Sequence, residues 1–249
     1  MAKKKKKTQA PVVKLSPKNY IRSKARSLPF GPCYVNDNWT EMGLAVVWVT
    51  RQQPSGKYIV GWYLVDIYCL GVKNADFYFG VTADEFKDIS NQYENRSNLT
   101  FAPVTSTIAQ NIIYGALEYA EDLGFSPHKD FETPEYILDP ADRIEFVEIE
   151  FGKNGKPFYS SGPSDNTQKI VRQLEQKVGV GNFDFLIQSP ESGAPDFNNK
   201  YDDDYYYDED DYYEEGEEDI SENAEDMHNN ENIEIVEYSI DETNPNDKD

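Results

Sequence analysis

The chain has 249 residues, with 46 Asp and Glu against 24 Lys and Arg, a formal net charge of -22. Two cysteines are too few for a disulfide framework, and no apolar stretch follows the N-terminal lysines as a signal peptide requires. No run of eighteen apolar residues is present to span a membrane, so composition points to a cytoplasmic protein without membrane contact.

The charge falls in three blocks. Residues 1–26 contain ten Lys and Arg and no acid. Residues 27–200 carry 13 basic and 24 acidic side chains, and residues 201–249 hold 22 Asp and Glu against Lys248 alone. We read residues 1–26 as a basic disordered arm, 27–190 as a single α+β globular domain, and 191–249 as an acidic, Tyr-rich disordered tail. The middle is long enough for one hydrophobic core, whereas neither end can bury enough apolar surface to fold alone.

The domain is expected to begin near Leu28-Pro29. Leu44 to Gln52 is β-branched and apolar, Pro54-Ser55-Gly56 supplies a turn, and Lys57 to Leu70 is a second apolar run. This pattern predicts a hairpin, and the near absence of alternation from Ile59 to Leu70 predicts a strand covered on both faces. Gly61 within it marks a bulge or a close neighbour. Asp76 to Phe79 adds a short strand.

Thr82 to Glu85 has the form of a capping box that opens a helix. Thr107 to Leu123 is the clearest helix, with Ile108, Ile112, Ala116, Leu117, Ala120 and Leu123 at helical spacing and Gly124 suited to end it. A short helix follows at Pro134 to Leu138. Ile144 to Phe151 alternates apolar residues with Glu145, Glu148 and Glu150 and reads as a strand, leading to a hairpin turn at Asn154-Gly155. Asp165 to Val178 is a second amphipathic helix, and Phe183 to Ile187 a last strand. Strands and helices are grouped rather than alternating. The expected fold is therefore α+β: an antiparallel, hairpin-based sheet packed with three to four helices.

The sequence contains no P-loop, no G-x-G-x-x-G after a strand, and no C-x-x-C, H-E-x-x-H or G-x-S-x-G. No cofactor and no metal are expected. Three constellations carry what chemistry there is. Asp66 interrupts an apolar strand, where an unpaired carboxylate is costly; it is a candidate general base or metal ligand, or it pairs with Lys73 or a backbone N–H. Cys69 nearby fits a small buried hydrophobe better than a nucleophile. Glu118, Glu121 and Asp122 make one acidic helix face, with His128 and Asp130 on the loop beyond, a set that either binds a cation or is simply solvated.

The third constellation is the pair of charged ends. Lys3, Lys4, Lys5, Lys6, Lys7, Lys14, Lys18, Arg22, Lys24 and Arg26 are the expected polyanion-binding residues, making salt-sensitive contacts to phosphate. The tail interleaves its acids with Tyr205, Tyr206, Tyr207, Tyr212 and Tyr213. It is suited to compete for the arm or to recruit a basic protein.

Leu28-Pro29-x-Gly31-Pro32-Cys33-Tyr34-Val35-Asn36 followed by Trp39, the Y-L-V-D-x-x-C-L-G-V-K stretch at Tyr63 to Lys73, and Y-G-A-x-x-Y-A-x-x-L-G-F-x-P-H-x-D-F at Tyr114 to Phe131 resemble an uncharacterised family of bacterial cytoplasmic proteins. Some members of that family carry an added SEC-C-type metal-binding segment. This chain has no such Cys-rich element, and the resemblance implies no activity. It covers about residues 25–190 and leaves out the acidic tail. The functional expectation is a non-catalytic binding or adaptor module whose basic arm contacts nucleic acid or another polyanion and whose tail modulates that contact. The alternative is a hydrolase or metal-assisted enzyme built on Asp66, His128 and Asp130.

Overall fold

The β-branched runs on either side of Pro54-Ser55-Gly56 pair with each other, and they form the centre of a sheet wider than one hairpin. The computed structural model describes residues 15–162 and 165–187, all of which fall within one unit, Lys14–Tyr213. Lys3 to Lys7, Lys14 and the acidic tail lie outside the described residues.

The sheet is a meander of β1 (Cys33–Asn36), β2 (Leu44–Gln52), β3 (Tyr58–Asp66) and β4 (Gly71–Val81), completed by β5 (Phe101–Val104). Its order is β4-β3-β2-β1-β5, and every neighbouring pair is antiparallel. The expected Asp76–Phe79 strand is thus part of an eleven-residue β4. Two further strands, β1 and β5, were not legible because each is only four residues long.

Residues alternate between two cores. Ala45, Val47, Val49, Ile59, Tyr63 and Val65 face one way and pack with Ile112, Ile113 and Ala116. Val46, Trp48, Val60, Trp62 and Leu64 face the other way and pack with Phe86, Ile89 and Tyr93. The continuous apolar sequence of β2 and β3 reflects this double coverage. The second core is largely aromatic, with Trp48 set edge-on to Phe86, Tyr93 and Phe101.

Two helices cover these faces. On the aromatic face, α3 (Ala83–Ser97) starts with the expected capping box, in which Thr82 Oγ1 accepts from Glu85 N and Glu85 Oε2 from Thr82 N. On the other face, α4 (Ser106–Asp122) ends one residue before the expected Leu123. A four-residue helix, α2 (Trp39–Met42), links β1 and β2. The result is α+β.

The N-terminal boundary differs from the expectation. The segment read as disordered through Arg26 contains α1 (Pro17–Lys24), capped by Ser16 and continued by a 3-10 turn at Ala25–Ser27. Ile21 and Ala25 are completely buried in the first core. Two apolar residues four apart, in a segment otherwise polar and basic, were outweighed in the sequence by charge. Tertiary contact with a large core overrides that local composition.

A buried cation with no local signature among its neighbours in the chain fixes this region. Arg51, at the end of β2, is 2% exposed. Its guanidinium donates to the Ile137 and Leu28 carbonyls at 2.8 Å and to Asp139 Oδ1 at 2.6 Å. It also lies 3.5 Å over the Phe30 ring. A buried charge is tolerable only when paired and hydrogen-bonded in this way.

Ile144 to Phe151 is not a strand. It runs as an extended strap along α4, where Asn111 accepts from Val147 N and donates to Glu145 O in place of a neighbouring strand. Its alternation is real, since Ile149 and Phe151 pack on the first core, but the surface it meets is a helix. Beyond it, Asn154 (φ 54°) and Gly155 (φ 73°) form the expected tight turn. The chain ends its described part as β6 (Phe158–Ser160), α5 (Thr167–Val178) and β7 (Asp184–Leu186), with β6 and β7 parallel. The core of this unit is partly supplied by the sheet region, because Tyr159, Leu174 and Phe183 pack with Cys69 and Leu123.

Candidate functional site

The turn between β3 and β4, residues 66–71, is where the most chemically distinctive side chains of the core collect. Asp66 ends β3 and is 5% exposed. Its Oδ1 accepts from Tyr68 N at 2.9 Å and Cys69 N at 3.0 Å, so the carboxylate caps its own turn. Burial pushes its pKa up to about 6, against the opposing pull of Lys73 and of the backbone N–H groups of Tyr68, Cys69 and Leu70.

Lys73, two residues into β4 from Gly71, reaches across to the C-terminal unit. Its Nζ lies 3.0 Å from Asp165 Oδ2, with both side chains about 15% exposed (15% and 14%). Asp165 Oδ2 also accepts from Gly162 N at 2.8 Å and from the Tyr159 hydroxyl at 3.3 Å. The fit at Gly162 is tight, since an added Cβ would sit 3.1 Å from Lys73 Nζ and 3.2 Å from Asp165 Oδ2. Tyr159 shares a second hydrogen bond with Thr167 at the start of α5, and burial pushes its phenol up to about 12.

Cys69 lies under this cluster, completely buried. Burial, reinforced by the Asp66 charge, drives its thiol well above the ordinary range. It is a protonated packing group at neutral pH rather than a thiolate nucleophile. The arrangement therefore acts as a polar joint, in which Lys73 and Asp165 neutralise each other and tie β6 and α5 to the β3–β4 turn. Asp165 Oδ2 collects Lys73 Nζ, Gly162 N and the Tyr159 hydroxyl, so this half-buried carboxylate is both paired and hydrogen-bonded.

Of the three residues singled out for acid–base or metal chemistry, His128 and Asp130 meet each other at a 3-10 turn. His128 N bonds the Val72 carbonyl at 3.0 Å, and its Nδ1 accepts from Asp130 N at 3.4 Å, capping a 3-10 turn at Lys129–Glu132. The His128 and Asp130 side chains are 40% and 41% exposed, with Nδ1 and Oδ2 at 3.5 Å. Among the described residues no hydrogen bond or ion pair joins Asp66 to either of them. Nor does any group of three His, Cys, Asp or Glu side chains stand where it could hold a metal ion. Glu118, Glu121 and Asp122 are exposed to solvent along α4.

Of the ten basic residues, four are described. Lys18, Arg22 and Lys24 are exposed on α1, and Arg26 on the turn after it. Arg22 pairs with Glu132 at 3.0 Å, and Arg26 donates to the Leu138 carbonyl at 3.0 Å while stacking 4.7 Å over Tyr136. These two arginines thus help hold α1 to the 129–138 segment.

Asp165 and Tyr159 had drawn no attention in the sequence. Their signal was present in weak form, as an Asp and a Tyr flanking a Gly-Pro turn, but nothing local indicates that the partner is Lys73, 92 residues away. No helix among the described residues is long and apolar enough to cross a membrane. No protein-family model, no curated protein and no solved structure matches this chain.

Proposed function

We propose that this chain is a cytoplasmic, non-catalytic binding module whose basic N-terminal segment contacts nucleic acid or another polyanion, with the acidic tail setting the strength of that contact. The observation that carries this reading is the charge partition: ten basic residues and no acid in residues 1–26, against 22 acids and one lysine in residues 201–249. The fold adds a support for it. Through Ile21 and Ala25, α1 roots the basic segment in the core, so a charge-rich extension is tethered to a rigid body. Lys18 and Arg22, four apart, share one exposed side of that helix.

Binding of this kind is dominated by phosphate contacts and counterion release. Six lysines, Lys3 to Lys7 and Lys14, would give a log–log salt slope of roughly -5 on duplex DNA. The hydrolase or metal-assisted alternative has no comparable support, since Asp66 is committed to its own turn and His128 to Asp130.

The test uses the intact chain, because removing residues up to 26 would also strip Ile21 and Ala25 from the core. Affinity for a labelled duplex is measured across salt for the natural chain, for a variant with Lys3 to Lys7 changed to Ser, and for a chain ending at residue 200. The expected order is tightest for the chain without its tail and weakest for the serine variant. Equal, weak binding by all three would sink the reading.

A further inference from the structure

The β6–α5–β7 unit is electrostatically unlike the body it sits on. Residues 27–151 carry seven basic and nineteen acidic side chains, whereas residues 152–187 carry five basic and three acidic. One of those three acids, Asp165, is taken up by Lys73. The five bases, Lys153, Lys156, Lys169, Arg172 and Lys177, are all exposed.

Their arrangement follows from how α5 packs. Leu174 is buried, and Ile170, Val171 and Val178 pack beside it, which fixes the inward face of the helix. Lys169, Arg172 and Gln176, spaced three and four apart, therefore lie on the opposite face. Lys156 reaches the loop after α5, where its Nζ donates to the Gly181 carbonyl at 3.2 Å. The same unit carries most of the exposed large apolar side chains: Val180 is 83% exposed, Phe185 50%, Leu186 51% and Ile187 60%.

The described chain leaves this unit at Ile187, on the end of β7. After thirteen intervening residues comes Tyr201 to Tyr213, which has seven Asp and Glu, six Tyr and no basic residue. We propose that Tyr201–Tyr213 docks on the exposed face of the β6–α5–β7 unit, its carboxylates on the Lys169, Arg172 and Lys156 side chains and its tyrosines on the apolar edge at Phe185–Ile187.

Complementarity is twofold, acid to base and aromatic to apolar, and this unit joins both on one surface: four of the six exposed large apolar side chains among the described residues lie on it, the other two being Met42 and Phe146. Reach is not limiting. Thirteen extended residues span up to about 43 Å, and a helix of the length of α5 spans about 18 Å. A tether of this length also holds the segment at an effective concentration of the order of millimolar, so individually weak surface contacts suffice. The docking is intramolecular and stands whether or not the basic arm binds nucleic acid.

Zero-length carbodiimide crosslinking of the full chain, followed by peptide mapping, tests it. An equal mixture of light and heavy isotope-labelled chains separates contacts within a chain from those between chains. Carboxylates of Asp202–Asp211 should couple to Lys169 and Lys156 of the same chain, with a yield falling about tenfold between 0.05 and 0.5 M salt. The variant R172E/K177E, which keeps Lys169 as reporter, should lose those crosslinks with unchanged circular dichroism. Amide exchange across α5 should be faster both in that variant and in a chain ending at residue 200. Coupling of Asp202–Asp211 only to Lys3–Lys7, coupling only between heavy and light chains, or α5 exchange unaffected by loss of the tail would each overturn the proposal.

Discussion

The sheet body and the C-terminal unit reach stability by different routes. The body buries two apolar faces of one sheet, with Trp48, Tyr63, Ile59, Ile112 and Ile113 fully enclosed, and so supplies its own core. The β6–α5–β7 unit encloses only Tyr159, Leu174 and Phe183 from its own residues, and it completes that cluster with Cys69 and Leu123 of the body. What it lacks in core it makes up with the Lys73–Asp165 joint. A two-stranded sheet with one helix is too small to be independently stable. The unit is therefore a dependent attachment, and its surface is left available for charge of the opposite sign to the body's.

That contrast can be broken at its strongest point. Trp48→Ala removes the side chain around which Phe86, Tyr93 and Phe101 are packed, and should cost about 3–5 kcal/mol. The loss should be global, with fluorescence and circular dichroism falling together in a denaturant titration. Leu174→Ala should cost about 2–5 kcal/mol for its cavity, but with a different pattern. Amide exchange should rise across α5 while β2 and β3 stay protected. If Leu174→Ala unfolds the sheet as well, the two regions are one cooperative unit and the comparison fails.

A third test concerns the turn that carries the joint. The folded state holds the Asp66 proton more tightly than the unfolded chain does, with a pKa near 6 instead of 3.8. Stability from this group is therefore lost as pH rises from about 4 to about 6, and the full penalty, about 3 kcal/mol, applies above that window. Asp66→Asn keeps the acceptor for Tyr68 N and Cys69 N without a charge. It should be more stable than the natural chain at pH 8, by up to that amount, and should not exceed it below pH 4. Thermal melts at both pH values decide, and equal melting points at pH 8 would remove the assigned role of burial.

The smallest effect is expected at the arm's root. Arg22→Gln breaks the ion pair with Glu132, whose side chains are 42% and 78% exposed. It should cost no more than about 1 kcal/mol, less at high salt. A larger loss would mean that α1 is held chiefly by charge rather than by Ile21.

Much of the fold was legible where the signal is local. The Thr82–Glu85 capping box, the Asn154-Gly155 turn and the periodicity of α4 depend on residues within a few positions of one another, and each formed as expected. Ile144–Phe151 shows the limit. Alternation reports which side chains are buried, and it reads the same whether the strap lies beside a strand or along a helix such as α4. α1 shows another limit, because two buried residues among many charges leave no signal in composition.

The candidate site was half legible. Asp66 stood out because a carboxylate in an apolar strand must be satisfied, and Lys73 was named as one of its possible partners. Lys73 instead makes its direct ion pair with Asp165, while Asp66 is satisfied by its own turn. The α+β class, the double coverage of the central strands and the three-block distribution of charge all follow from residue type and short spacing. Long-range packing was needed to reveal that Arg51 binds Asp139, that Asp66 and His128 cap different turns, and that the basic side chains after residue 151 gather on one small unit. Those outcomes depend on which segments, distant along the chain, share an interior, and burial there sets the electrostatic terms that residue types alone leave open.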